Sequence, residues 1–206
     1  MRFVEGACER AAHAFVASLS LSHAPTPSLR SFSYRAAVTA ALAPSPTRRS
    51  RSWGAFSTID VSSPDPPCPA LPRPAALLLR AGVAVRTRLL SLPYGDQAIF
   101  ATAGALRGIG GVRPLPLMED VDLVTRLGAA HGRPGIAAGA VRTSPRQWTA
   151  PGRGLVRTSL RNWGLVLRWK AGVPAEELAA EYYGRGAAAA SPPPPPPRRR
   201  GARLLW

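Results

Sequence analysis

Proline is the residue that most restricts how this chain can fold. The 206 residues include 23 prolines and 19 glycines, and proline interrupts both the interior of helices and the central strands of sheets. A run of prolines, Pro192–Pro197, lies near the C-terminus, and a second cluster lies between Pro64 and Pro74. This distribution predicts one packed domain at residues 36–184, a disordered extension at 1–35 and a disordered Pro/Arg-rich tail at 185–206.

The first 35 residues are rich in Arg, Ser, Ala and Pro, as organellar transit peptides are. Glu5 and Glu9 are atypical of such peptides. Two interpretations stay open: a segment that targets the protein to a plastid or mitochondrion, or an extension from a misread gene boundary in a cytoplasmic protein. No stretch reaches the roughly 20 consecutive apolar residues that a membrane-spanning helix needs.

The charge of the chain is strongly positive, with a formal net charge of +16. Such a charge indicates nucleic acid and anionic membranes as candidate partners. Lys170 is the single lysine among 27 basic residues, and no nucleic-acid-binding motif accompanies the arginines. We therefore expect no specific nucleic-acid partner. The two cysteines, Cys8 and Cys68, and the scattered histidines do not form a metal-ligand pattern.

Acidic residues are scarce, and four of the nine in the predicted domain lie between Leu92 and Leu123. Asp96 occurs alone, whereas Glu119, Asp120 and Asp122 form a cluster. Carboxylates this rare are candidates for chemistry. The alternative is that the cluster only stabilises a helix start, because acids in a first turn favour the positive end of the helix dipole.

Apolar periodicity between the prolines predicts alternating strands and helices, so the fold class is α/β. The predicted strands span residues 53–61, 97–100 and 136–143. The predicted helices span residues 34–42, 75–92, 103–109, 118–130, 153–171 and 174–183. In the helix at 118–130 the acids occupy the first turn, and the apolar residues recur on one side with the other side in water.

Several short motifs follow one another in a fixed order over residues 53–184. They are Gly54-Ala55-Phe56, Pro93-Tyr94-Gly95-Asp96-Gln97, Gly110-Gly111, Pro116-Leu117-Met118-Glu119-Asp120-Val121-Asp122-Leu123, Thr143-Ser144-Pro145-Arg146-Gln147-Trp148 and Arg157-Thr158-Ser159-Leu160-Arg161-Asn162. In this order they resemble glycosyltransferase family 2, in particular its small bacterial members described as radical-SAM/selenodomain-associated transferases. The resemblance implies a GT-A, Rossmann-like fold of which the chain holds the acceptor-side half.

The resemblance also implies a reaction, the transfer of a sugar from a nucleotide-sugar donor to an acceptor hydroxyl. A base must take the proton of that hydroxyl. The family's base corresponds to the second acid of the Glu-Asp pair, so Asp120 is the catalytic candidate, with Glu119 beside it. The motifs identify neither the donor sugar nor the molecule that carries the acceptor hydroxyl.

Two further groups of residues acquire candidate roles from the resemblance. Gly95, Asp96 and Gln97 match the acceptor-binding segment of the family, although a turn whose carboxylate caps the next segment is the alternative. Arg146 and Trp148 match an element in which an arginine pairs with diphosphate and an indole stacks on a sugar. The alternatives are a solvated loop charge for Arg146 and core packing for Trp148.

The family uses a divalent cation, Mg²⁺ or Mn²⁺, bound by aspartate in a segment that often reads His-Ala-Asp-Thr. This chain has His23-Ala24-Pro25-Thr26, in which proline replaces the ligand, so we expect the metal site to be lost. The nucleotide-binding half of the family also has no counterpart in residues 1–35. The sequence therefore predicts a truncated transferase.

The competing hypothesis is a non-catalytic basic module that binds an anionic polymer or membrane. It depends on the basic amphipathic helix at 153–171 and on Arg198–Arg200 in the tail. The apolar side of that helix either packs on the domain or makes a peripheral contact with an anionic bilayer.

Overall fold

The computed structural model describes residues 3–4, 14–17, 32–44, 50–62, 69–150 and 152–184. It has the predicted α/β class, with one mixed sheet of strand order β1-β2-β4-β3-β5. The strands are β1 (Phe3–Val4), β2 (Ala14–Ala17), β3 (Trp53–Asp60), β4 (Phe100–Thr102) and β5 (Gly135–Arg142). β3 runs parallel to β5 and antiparallel to β4, and it lies between these two partners.

The helices cover the sheet and extend beyond it. They are α1 (Phe32–Leu42), α2 (Arg73–Leu89), α3 (Ala103–Gly108), α4 (Glu119–His131), α5 (Arg146–Thr149), α6 (Leu155–Lys170) and α7 (Ala175–Tyr183). Every helix that the periodicity predicts is confirmed to within a few residues. The structure also contains one short helix that was not predicted from the sequence, α5.

One predicted strand is wrong. The strand predicted at 97–100 is a 3₁₀ turn over Gly95–Gln97, and β4 begins only at Phe100. The left-handed backbone of Ala98, with φ of 48°, separates the turn from the strand. Within the segment predicted as an extension, α1 starts at Phe32, and the strands β1 and β2 extend the sheet next to β4. The rest of the predicted extension at 1–35, and nearly all of the predicted tail at 185–206, lie outside the described residues.

The core forms on both sides of β3, whose side chains alternate between two layers. Trp53 and Ala55 pack with α4, α6 and α7, whereas Phe56 packs with Val38 of α1. A third cluster joins Ile59 to the inner side of α2. The parallel pair of strands is thus covered by helices, as parallel sheets require.

Helix α4 brings the acidic cluster into this core. Its apolar residues Val121, Leu123, Val124 and Leu127 are all buried, as predicted. The prediction that its other side is wet is wrong for the first turn, since Glu119 and Asp122 are buried too. Asp122 forms ion pairs with Arg126, at 2.6 Å, and with Arg113, at 3.1 Å. It therefore has a structural role and points away from Asp120.

None of the described helices is long and apolar enough to cross a membrane.

Candidate functional site

The turn at Gly95–Gln97 is held in place by the side chain of Gln97, which is fully buried. Its amide nitrogen donates to the Phe56 carbonyl oxygen at 2.9 Å and to Thr87 Oγ1 at 2.7 Å. Its amide oxygen accepts from Arg86 Nη2 at 2.7 Å and from the Tyr94 backbone nitrogen at 3.2 Å. Gln97 therefore joins β3, α2 and the turn, and it lies behind the site surface.

The turn places Asp96 beside the first turn of α4. The backbone nitrogen of Gly95 donates to Asp120 Oδ2 at 2.8 Å, and that of Val121 donates to Asp120 Oδ1 at 2.7 Å. Thr143 Oγ1 donates to the Asp96 carbonyl oxygen at 3.3 Å. The adjacent candidates Gly95 and Asp96 are thus neighbours in space of Asp120, which follows them by 25 and 24 residues along the chain.

Two residues that the sequence did not identify, Arg86 and Tyr94, complete this part of the site. The Arg86 guanidinium carbon lies 3.4 Å from the centroid of the Tyr94 ring. The Tyr94 hydroxyl is buried beside Arg86 without a partner in good hydrogen-bond geometry. The apolar periodicity predicts only that Arg86 lies on a helix. The hydrogen bond to Gln97 directs the Arg86 side chain toward the acids.

Burial shifts the proton affinity of the carboxyl groups. It raises the pKa of Asp120, against the lowering effect of the hydrogen bonds from Gly95 and Val121. It also raises the pKa of Asp96, where Arg86 opposes the rise and the Asp120 charge adds to it. Asp96 Oδ1 is buried without a hydrogen-bond partner. A desolvated carboxylate of this kind is a stronger base than one in water.

Glu119 and Tyr183 extend the cluster toward α7. Burial, with a further effect of the Asp120 charge, raises the pKa of Glu119 to about 7. Glu119 Oε2 is buried without a hydrogen-bond partner. Burial also raises the pKa of Tyr183 to about 12, with contributions from Glu119, Tyr182 and Asp120. At neutral pH the cluster thus contains a carboxyl group close to half-protonation.

A cavity of about 310 Å³ opens next to the acids, between α2 and α6. Its polar and aromatic lining consists of Arg86, Tyr94, Asp96, Gln147, Trp148, Ser159, Asn162 and Trp163. Asp96 and Trp148 therefore share one cavity, and the half-buried Asp120, which is not part of the lining, is close enough to affect the charge of Asp96. Indole rings and amide side chains in one wall suit a polyhydroxylated ligand, because they offer both a stacking surface and hydrogen bonds.

The remaining candidate, Arg146, begins α5 and does not line the cavity. Its backbone nitrogen and its Nε both lie within hydrogen-bond distance of Ser144 Oγ, at 3.3 and 3.0 Å. The neighbouring Trp148 is almost completely buried. Trp148 thus packs in the core cluster beside α2 and also lines the cavity.

Among the described residues, no group of three or more His, Cys, Asp or Glu side chains is placed so that it could hold a metal ion. The segment 23–26, where the resemblance implies a lost ligand, lies outside the described residues.

Comparison with known proteins adds no relative. The sequence matches no protein-family model, and neither a curated protein nor a solved structure matches the chain significantly.

Proposed function

We propose that this protein is a truncated glycosyltransferase family 2-like enzyme that transfers a sugar from a nucleotide-sugar donor to an acceptor hydroxyl, with Asp120 as the general base. The observation that carries the proposal is the carboxyl cluster beside a cavity with indole walls, in which Glu119 is buried and Asp96 and Asp120 are half-buried. The order of motifs that resembles glycosyltransferase family 2 assigns the base to the same aspartate. A GT-A relationship is part of the proposal.

The first support is the state of the Asp120 carboxyl group. A general base works best when its pKa is near the working pH, and burial raises the pKa of Asp120 in that direction. Two backbone N–H groups fix the orientation of its oxygens. Each oxygen keeps a second lone pair, so the carboxylate can still accept a proton from a bound hydroxyl.

The second support is the position of Asp96 on the cavity wall. Asp96 Oδ1 has no hydrogen-bond partner, and a buried carboxylate oxygen in that state is costly unless a ligand supplies a donor. An acceptor sugar or alcohol offers such a donor. In the proposed reaction Asp96 orients the acceptor, and Asp120 takes its proton as the oxygen bonds to the anomeric carbon.

The bond from the anomeric carbon to the donor diphosphate breaks in the same step, and the nucleoside diphosphate leaves. Arg146 is the proposed partner of the diphosphate, and Arg86 contributes positive charge beside the acids. Trp148 and Trp163 supply the apolar surface on which a sugar ring stacks. Gly95 positions Asp120 through its backbone N–H, and Gln97 positions Arg86 through its buried side-chain amide.

The test is release of nucleoside diphosphate by the full chain from UDP-glucose, UDP-galactose, UDP-N-acetylglucosamine and GDP-mannose, with Mg²⁺ or Mn²⁺ and water or simple sugars as acceptors. We expect slow release with one donor. Asp120→Asn should reduce it by about 10²–10⁴-fold while donor binding is retained.

The control is Asp60→Asn, the same chemical change at the end of β3, outside the cavity. It should leave release unchanged. Folded protein that neither consumes nor binds any of the four donors would contradict the proposal, as would an Asp120→Asn variant with full activity.

A further inference from the structure

Large exposed apolar side chains are concentrated on two helices. Of the nine such residues in the described part of the chain, eight belong to α2, to its C-terminal cap or to α6. They are Leu77, Leu78, Val85, Leu89, Leu90, Val156, Leu160 and Leu167. Scattered exposed leucines need no explanation, whereas a concentration on one region indicates an interaction surface.

The exposed residues form one stripe on each helix. Leu78, Gly82, Val85 and Leu89 follow one another on α2 at helical spacing, and Val156, Leu160, Trp163 and Leu167 do so on α6. Leu78 and Leu160 line the same cavity. Leu90 and Lys170, at the ends of the two helices, line a second cavity of about 330 Å³.

Residues of both helices thus line the first cavity, and the C-terminal ends of both helices adjoin the second. We call the two stripes together the α2/α6 face.

The charge of these helices identifies the partner. α2 contains four arginines and α6 contains three arginines and one lysine, and neither helix contains an acidic residue. Arg88, Arg157 and Lys170 are exposed, and each lies within about 100° of the stripe on its helix. An apolar stripe bordered by cations suits the surface of an anionic bilayer. The headgroups attract arginine, and the acyl chains just beneath them accept leucine.

Other occupants fit less well. A second copy of the chain would bring two cationic faces together, and like charges repel. A nucleic acid would satisfy the arginines but would leave the leucines in contact with phosphate and water.

We propose that the α2/α6 face binds the surface of an anionic phospholipid bilayer, with the mouth of the cavity turned toward the headgroups. The inference does not rest on glycosyl transfer, because it uses exposure and charge on residues outside the carboxyl cluster.

The experiment is flotation of the full chain with vesicles of phosphatidylcholine alone or with about 30% phosphatidylglycerol, a fraction chosen to give a clear negative surface potential. We expect binding to the anionic vesicles only. The double variant Leu78→Ser/Leu160→Ser should weaken binding by tenfold or more, because two leucines lose their burial. Both residues are exposed, so the fold should be unaffected.

A matched pair of charge reversals tests position rather than net charge. Arg157→Glu should weaken binding by about tenfold or more, whereas Arg107→Glu, an exposed arginine on α3 that lines neither cavity, should resemble the wild type. The basic tail is present in both variants, so a difference between them cannot come from Arg198–Arg200.

Four results would overturn the proposal. The first is equal binding to neutral and anionic vesicles. The second is binding at the wild-type level by both the serine variant and Arg157→Glu. The third is tight oligonucleotide binding that Arg157→Glu removes and the serine variant retains. The fourth is a wild-type dimer in sedimentation that the serine variant dissociates.

Discussion

Glu119 provides the sharpest test of the buried carboxyl cluster. Burial, reinforced by Asp120, raises the pKa of Glu119 from 4.5 to about 7. The folded protein thus holds this proton more tightly than the unfolded chain does. Below pH 4.5 the group is protonated in both states and costs nothing. As the pH rises from 4.5 to about 7, the unfolded chain loses the proton first, so the free energy of unfolding falls.

The size of the effect follows from the two pKa values. At 1.36 kcal/mol for each pH unit, the difference corresponds to at most about 3 kcal/mol of stability lost above pH 7. Glu119→Gln keeps the shape of the side chain and removes its charge. We expect this variant to be more stable than the wild type by up to about 3 kcal/mol at pH 8, and equal to it within about 0.5 kcal/mol near pH 4.

The assay is urea denaturation followed by far-ultraviolet circular dichroism at both pH values. The control is Glu176→Gln, which removes the same charge from the first turn of α7 at an exposed position. Its effect should stay within about 0.5 kcal/mol at either pH. A Glu119→Gln variant that is less stable than the wild type at pH 8, or whose effect does not change with pH, would refute the assignment of a desolvated charge.

Two further predictions concern the groups that hold the site. Gln97→Leu leaves buried partners in three segments unsatisfied and should reduce the free energy of unfolding by roughly 3–6 kcal/mol. Gln147→Leu, in the cavity wall, should change it by less than about 1 kcal/mol in the same denaturation assay; equal losses would contradict the role of Gln97. Asp122→Asn removes the charge that compensates Arg126 and should cost about 2–4 kcal/mol, measured the same way. A cost below 1 kcal/mol would mean that this ion pair is not structural.

Local pattern was sufficient to predict the elements that surround the site. The aromatic and β-branched run at Trp53–Asp60 is a strand, and the apolar period after Met118 is a helix whose first turn holds the acids. These features depend on neighbours in sequence, which is why the sequence reveals them. Asp96 and Trp148, which line one cavity, became site candidates through the family resemblance and not through their spacing in the sequence.

The parts that could not be predicted depend on contacts between distant residues. Gln97 leaves the strand pattern because its amide bonds to Phe56, 41 positions away. Arg86 turns toward the acids because Gln97 lies there to accept its hydrogen bond. Helix α6 is a second example. Its amphipathic pattern predicts an apolar side but does not predict what that side packs against. The structure buries Thr158 and Leu165 and leaves Leu160 exposed.

Gly54, at the crossing of the three central strands, restricts which sequences can adopt this fold. A β-carbon at this position would lie 2.0 Å from the Gly135 carbonyl oxygen and 2.7 Å from the Phe100 ring. Neither neighbour can withdraw, since both belong to strands paired with β3. Over evolutionary time, exposed side chains outside the candidate site and the α2/α6 face are free to change, whereas glycine at this crossing is not. A distant homologue is therefore better recognised by a glycine opposite a buried aromatic residue on the adjacent strand than by overall sequence identity.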